Sequence, residues 1–101
     1  MGTRGEIAYQ GRLMKKLERM FPEAVVFRGP CQEIQGIPDI IILWGDTWAA
    51  LEVKEFEYSD QQPNQEWWVN RLHDMSFSAF IYPSNEKEVL DALQSAFGAR
   101  R

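Results

Sequence analysis

Apolar residues in the first fifth of the chain recur at helical spacing. Ile7, Met14 and Leu17 fall on one side of a helix, and this pattern predicts a helix over about residues 4–20. Pro22 comes directly after this stretch, and a proline in that place is typical of a helix end. The chain is therefore expected to open with one amphipathic helix.

The next apolar runs are short and rich in β-branched residues, which is typical of strands. They lie at residues 24–27, 37–44 and 47–54, with a loop at 29–36. Gly45 and Asp46 separate the last two runs, and a Gly-Asp dipeptide between strands predicts a β-hairpin with a type II′ turn. Both hairpin strands are apolar on each face, so we expect a sheet that is covered on two sides.

The chain after the hairpin predicts a further helix and strand. The helix spans about residues 61–74, with Ser59 or Asp60 as its cap and Pro63 in its first turn. The apolar run at 77–82 then predicts a strand. A helix between two strands is typical of a crossover connection.

The last element is expected to be a helix that Ser84 or Asn85 caps and Gly98 ends. The predicted order is α-β-β-β-α-β-α, an α/β fold in a single domain over residues 1–101. The strand–helix–strand stretch from 48 to 82 should be parallel and right-handed.

Composition places the chain among ordinary globular proteins. Its 101 residues are 45% hydrophobic and 26% charged, and no apolar run reaches the roughly 20 residues that a membrane helix needs. Residues 1–6 do not have the pattern of a signal peptide. Cys31 is the single cysteine and cannot form an internal disulfide, so a reducing, cytoplasmic setting is expected.

Charge is divided unevenly along the chain. The net charge of -4 argues weakly against nucleic acid as a partner. Residues 1–28, however, carry six Lys or Arg against three acidic residues, which leaves the first helix basic. Arg12 and Lys16 on that helix are candidates for contact with phosphates, or they belong to a solvated helix face.

The hairpin register brings chemically active residues together. With Gly45 and Asp46 in the turn, Asp39 lies opposite Glu52, and period-2 alternation puts Lys54 on the same face. Two facing carboxylates repel each other, and hard cations such as Mg²⁺ or Mn²⁺ bind carboxylate oxygens. The alternative is an edge-strand ion pair between Lys54 and Glu52, with Asp39 as a residue that begins a strand.

Pro38-Asp39 together with Glu52-Val53-Lys54 resembles the motif of the PD-(D/E)xK nuclease superfamily. The resemblance implies a restriction-endonuclease-like αβββαβ(α) core, a mixed central sheet with helices on both faces. It implies that Asp39, Glu52 and the Val53 carbonyl hold Mg²⁺ or Mn²⁺. It also implies that Lys54 positions the attacking water.

Two further stretches resemble the VRR-NUC branch of that superfamily. Glu6 with Gln10 is similar to its E-x-x-x-Q opening, and residues 65–72 are similar to its Q-x-x-W helix. Glu6 is then a further metal-site acid, or alternatively a first-turn acid that the helix dipole favours. Gln65 would orient the active-site lysine or contact the DNA backbone.

The resemblance implies a metal-dependent DNA endonuclease, acting as a homodimer on branched DNA such as a Holliday junction, in a bacterial cell or a phage-infected one. Arg28 is a candidate phosphate contact because it ends the first strand beside the hairpin. Two alternatives stay open: a nuclease for flaps, nicks or ends that works with a partner, and a non-catalytic DNA-binding module. One of Trp67 and Trp68 is expected to be exposed and available for a protein interface or for stacking with DNA, or alternatively both pack on the sheet.

Overall fold

The computed structural model describes residues 3–99, which begin with the predicted amphipathic helix. Helix α1 spans Arg4–Met20. The Thr3 hydroxyl caps it by accepting a hydrogen bond of 3.1 Å from the Glu6 amide. The first predicted element is therefore confirmed, and its cap places Glu6 in the first turn.

Four strands form one mixed sheet in the order β1-β2-β3-β4. They are β1 (Val25–Arg28), β2 (Ile40–Trp44), β3 (Thr47–Val53) and β4 (Phe77–Ile81). The first three strands pair antiparallel, whereas β3 and β4 pair parallel. The predicted α/β class, the order of elements and the parallel crossover are confirmed.

The β2–β3 hairpin has the predicted register. Trp44 pairs with Thr47 and Ile40 with Leu51. Gly45 has a positive φ of 62°, which suits the first central position of the predicted turn. Because residues of the two strands pair one by one outward from the turn, the position of the turn fixes every other pair in the hairpin.

Helices α2 (Gln65–Met75) and α3 (Glu86–Ala99) complete the chain, and their ends differ from the prediction. Asn64, not Ser59 or Asp60, is the cap of α2. It has a left-handed backbone, and the described residues give its side chain no capping hydrogen bond. Pro63 therefore precedes the helix.

Asn85 occupies the cap position of α3, where its carbonyl accepts a hydrogen bond of 3.0 Å from the Val89 amide, but the predicted end of the helix needs a correction. Asn85 precedes the helix, but its side chain accepts a hydrogen bond from the Tyr82 amide and donates to the Phe80 carbonyl, so it holds the preceding turn. Gly98 lies inside α3, which continues to Ala99. Gly98 follows the last apolar residue of the pattern, which suggested a helix end. The helix passes through it because no left-handed residue is needed there.

The main core lies between one face of the sheet and helices α1 and α3. Its buried members include Leu13 and Leu17 of α1 and Leu93 of α3. Leu51 and Val53 of β3 point into this core, so alternation directs Glu52 to the opposite face. No helix within residues 3–99 is long and apolar enough to cross a membrane.

Candidate active site

An open cleft of about 800 Å³ lies where β2 begins and β3 ends. Its lining includes seven of the residues singled out from the sequence: Glu6, Gln10, Arg28, Asp39, Glu52, Lys54 and Gln65. They come from α1, the end of β1, the hairpin and the start of α2. The fold thus brings together side chains from four separate stretches of the chain.

Asp39 is held in place by the backbone of the neighbouring strand. Its Oδ2 accepts a hydrogen bond of 2.9 Å from the Val53 amide. Continuing the hairpin register by one residue beyond Ile40 and Leu51 sets Asp39 opposite Glu52. The two carboxyl groups are therefore neighbours on the face of the sheet that looks into the cleft.

Glu52 is almost completely buried, with 1% of its surface exposed. Its Oε2 accepts a hydrogen bond of 2.9 Å from Gln65 Nε2, whereas its Oε1 finds no hydrogen-bond partner among residues 3–99. Burial, followed by the neighbouring Asp39 carboxylate, raises the pKa of Glu52 to about 9. At neutral pH this carboxyl group needs either a proton or a cation beside it.

The donor set fits a hard divalent cation with few protein ligands. Among residues 3–99, no three His, Cys, Asp or Glu side chains are grouped so that they could hold a metal ion. Glu6 contributes to the raised pKa of Glu52, but it does not complete a three-carboxylate group with Asp39. Mg²⁺ is commonly held by one or two carboxylates, with water and substrate phosphate as its other ligands.

Lys54 is buried and tied to the active-site wall. Its Nζ donates hydrogen bonds of 3.0 Å to the Asp60 carbonyl and 2.8 Å to Gln65 Oε1. The same nitrogen lies 4.0 Å from Glu52 Oε2. The alternative of an edge-strand ion pair is wrong in its edge position, because β3 lies between β2 and β4. Its other parts are confirmed, since Lys54 and Glu52 form a buried ion pair and Asp39 directly precedes β2.

Gln65 connects the acid and the lysine. Its amide nitrogen donates to Glu52, and its amide oxygen accepts from Lys54 and from the Gln62 backbone. The resemblance implied that Gln65 orients the lysine or contacts the DNA backbone, and the structure shows a bond to the lysine and a second one to Glu52. The first residue of α2 therefore sets the orientation of two cleft side chains.

Gly36 joins the loop at 29–36 to the start of α2. Its φ is +95°, a conformation that favours glycine, and a Cβ there would lie 2.9 Å from Asn64 Cβ. The close approach sets this loop beside Gln65. Gln35 and Gly36 consequently form part of the cleft lining.

The first helix supplies a second wall. Glu6 and Gln10 are buried, with 8% and 6% of their surfaces exposed. Gln10 Oε1 accepts a 3.4 Å hydrogen bond from Arg28 Nε, which holds the guanidinium at the cleft. Glu6 is also an acid in the first turn of α1, as the alternative predicted, and it lines the cleft from that position.

Two other basic residues of α1 point elsewhere. Lys16 Nζ lies 2.6 Å from Glu86 Oε2, so it joins α1 to α3. The Arg12 guanidinium stands 5.8 Å from the ring centre of Tyr9. Neither residue is part of the cleft lining found in the described chain. The distribution of charge along the sequence correctly predicted a basic helix. It did not predict which residues each basic side chain would contact.

The aromatic pair on α2 has one exposed member. Trp67 is 60% exposed, and its ring meets Trp68 edge-on with 4.9 Å between ring centres. The alternative in which both rings pack on the sheet is therefore wrong for Trp67. Neither tryptophan lines the cleft among the described residues.

The loop at 55–60 contains features that the sequence reasoning missed. Phe56 and Ser59 line the cleft, and Asp60 offers its carbonyl to Lys54. Thr3 Oγ1 donates a hydrogen bond of 3.2 Å to Glu55 Oε2, so the loop is tied to the start of α1. The available signal was the presence of two aromatic residues, Phe56 and Tyr58, in an otherwise polar stretch.

Comparison of this chain with models of known protein families, with curated proteins and with solved structures found no significant match. The residues of the cleft and their chemistry are therefore the basis for assigning a function.

Proposed function

We propose that this protein is a metal-dependent DNA endonuclease, with a restriction-endonuclease-like core and the cleft as its active site. One observation carries the proposal. Glu52 has a buried, unpartnered carboxylate oxygen beside Asp39, and a lysine stands 4.0 Å from its other oxygen. A buried carboxylate beside a second, partly exposed one is costly without a cation, and metal sites that act on phosphate meet this requirement.

Asp39 and Glu52 are the residues that would hold Mg²⁺ or Mn²⁺, with the Val53 carbonyl as a further oxygen ligand. A bound divalent ion would stabilise charge on the scissile phosphate and make an attacking water more acidic. Lys54 then orients that water through its ammonium group and stabilises negative charge as it develops. Gln65 keeps this ammonium aimed into the cleft, because its amide oxygen fixes the position of Nζ.

Glu6, on the opposite wall, is placed to support a second ion or a bridging water. Arg28 is the candidate for holding a DNA phosphate, because its guanidinium lies at the cleft and is oriented by Gln10. Most other charged groups of the cleft are acidic, so the bound cations and Arg28 must offset the charge of the DNA backbone.

The proposed substrate is branched DNA such as a four-way junction, and the proposed active form is a homodimer. Symmetric cutting of such a junction needs two active sites, while one chain supplies one cleft. The mass of the protein in solution, measured with and without a junction over a range of concentrations, tests this part independently of cleavage.

The decisive experiment is cleavage of a DNA panel by the purified protein with Mg²⁺ or Mn²⁺. The panel contains supercoiled plasmid, single strands, flaps, nicked duplex and a four-way junction. Cuts near the branch point support a junction enzyme, whereas cuts at flaps, nicks or ends support the alternative nuclease. Metal-independent binding without cleavage of any substrate would leave a non-catalytic DNA-binding module as the better description.

A further inference from the structure

Two exposed aromatic rings form a small stacked pair at the rim of the cleft. The rings of Phe56 and Tyr58 lie 5.1 Å apart between centres, with only 6° between their planes. Phe56 is 47% exposed and lines the cleft, while Tyr58 is 79% exposed. Apolar rings normally pack inward, so a stacked pair open to solvent beside an active-site cleft is a candidate binding surface.

The loop that carries the rings is held by hydrogen bonds. The Phe56 amide donates to Ser59 Oγ at 3.1 Å, and the Ser59 amide donates back to the Phe56 carbonyl at 3.0 Å. Lys54 and Thr3 fix the two ends of this loop through Asp60 and Glu55. The rings are therefore presented on a closed turn that is tied to the active-site lysine itself.

The charge of the loop around the two rings indicates which chemical class of ligand they can bind. Residues 55–64 contain Glu55, Glu57 and Asp60 but no Lys or Arg. Such a loop disfavours contact with backbone phosphates, while a ring face can still stack with the face of a nucleobase. Two rings also offer far less area than the roughly 800 Å² per partner of a typical protein interface.

We propose that the Phe56–Tyr58 pair is a stacking platform for an unpaired nucleobase of the DNA substrate. A base inside a duplex has both faces covered by its neighbours, so only an unpaired or splayed base can lie on the outer face of Tyr58. This inference rests on the proposed function and makes its substrate class narrower. The cleft takes DNA with unstacked bases beside the scissile phosphate, as at a branch or a single-stranded segment.

Binding measured in EDTA, where no cleavage occurs, tests the platform directly. The probes are a single-stranded oligothymidylate, an oligonucleotide of the same length without bases, and a duplex whose ends are closed by linkers that carry no bases. Wild-type protein is expected to prefer the oligothymidylate over the abasic strand. Tyr58→Ala should weaken oligothymidylate binding about 5- to 140-fold, from the ~1–3 kcal/mol typical of one base–aromatic stack.

Conservative variants separate stacking from other effects. Tyr58→Phe keeps the ring and should retain affinity, whereas Tyr58→Leu keeps apolar bulk and should lose it. Phe27→Ala is the matched control, since Phe27 is an exposed aromatic of β1 that does not line the cleft. Thermal unfolding midpoints establish that each variant is folded, which the 79% exposure of Tyr58 leads us to expect.

Equal binding of abasic and base-containing strands, or unchanged affinity in both Tyr58→Ala and Tyr58→Leu, would overturn the platform. If either result is found and the wild-type protein still cleaves DNA, the platform is rejected and the nuclease proposal is unaffected. Loss of affinity in Tyr58→Ala, in a wild-type protein that cleaves no DNA, supports the platform and removes the nuclease.

Discussion

Gln65 Nε2 donates a hydrogen bond of 2.9 Å to Glu52 Oε2, across a separation of thirteen residues in the chain. The other end of the same amide accepts from Lys54. One side chain thus orients the proposed metal ligand and the proposed water-positioning lysine together. Neither a carboxylate nor an aliphatic group can serve both partners at once, because an amide alone offers a donor and an acceptor here.

Gln65→Glu and Gln65→Ala are therefore expected to reduce cleavage by about 10- to 100-fold, the usual cost of losing a group that orients a metal ligand. The glutamate variant can still accept from Lys54 but repels Glu52, whereas the alanine variant serves neither. Gln61→Ala is the control, because Gln61 is exposed and does not line the cleft. Rates measured under single-turnover conditions at several Mg²⁺ concentrations check this prediction, and equal rates in Gln65→Ala and wild type would contradict it.

Removal of the proposed catalytic groups should have a larger effect. Lys54→Met is expected to lower the cleavage rate by about 10²- to 10⁴-fold, the range found for groups that act on proton transfer. Asp39→Asn should also lower the rate, because it removes a charge from the proposed metal site. Lys87→Met is the matched control, since the Lys87 side chain is 90% exposed and pairs with Asp91 on α3. If Lys87→Met were as inactive as Lys54→Met, the lost activity would reflect a general loss of positive charge and not a specific role of Lys54.

Metal-free protein should lose stability as the pH rises. Glu52 has a folded-state pKa of about 9 against an ordinary value of 4.5, so the unfolded chain releases this proton first. The stabilising contribution of the protonated group is complete below pH 4.5 and is lost progressively up to about pH 9. Denaturant unfolding in EDTA between pH 5 and 9 measures this slope, and addition of Mg²⁺ at pH 8 should restore stability and release protons.

Glu52→Gln should remove this pH dependence. The amide nitrogen can take the place of the unpartnered Oε1 and donate to Asp39, while the amide oxygen still accepts from Gln65. We expect the unfolding midpoint in EDTA at pH 8 to rise by about 4–8 °C, the shift that 1 kcal/mol produces in a domain of this size. If the proposed function is correct, cleavage should be lost, since a proposed metal ligand is gone. An unfolding midpoint below that of wild type would argue against a buried, strained carboxyl group.

The link between α1 and α3 should matter for stability but not for chemistry. Glu86 accepts from Tyr9 Oη at 2.8 Å and from Lys16 Nζ at 2.6 Å. Burial alone would raise the pKa of Glu86, but these hydrogen bonds hold it below its ordinary value. Its contribution is therefore present at neutral pH and lost as the pH falls through that lowered pKa.

Glu86→Ala is accordingly expected to lower the free energy of unfolding by about 1–3 kcal/mol, because it leaves the Tyr9 hydroxyl without its acceptor. Glu88→Ala, an exposed first-turn acid on the same helix, should change it far less. Cleavage by both variants at a temperature well below their unfolding midpoints should match that of wild type. Reduced cleavage in Glu86→Ala alone would place this ion pair within the functional surface.

The sequence allowed the hairpin and its facing carboxylates to be predicted, since a two-residue turn leaves one register and strand alternation then assigns each face. It did not allow the start of α2 to be placed. Asn64 begins that helix from a left-handed conformation and is packed against Gly36, which is a tertiary contact. The bond from Lys54 to the Asp60 carbonyl was equally hidden, because a loop without periodicity gives no indication of where its backbone lies.

Basic residues illustrate a second limit of sequence patterns. Arg28 and Lys16 are both cations near the first helix, yet one lies at the cleft and the other bonds Glu86. Their different positions depend on which residues of distant elements come close to them. Side-chain type and helical spacing contain no information about those neighbours.

The short segment of chain that contains most of the cleft residues has a consequence for how the molecule assembles. Residues 39–65 contain Asp39, Glu52, Lys54 and Gln65, so a hairpin and the start of the next helix are enough to gather them. Contacts between residues close in sequence form at a low cost in loop-closure entropy, whereas the first helix must come from farther along the chain. We therefore expect the acidic pair to form early during folding, and the arrival of α1 to be the step that encloses it.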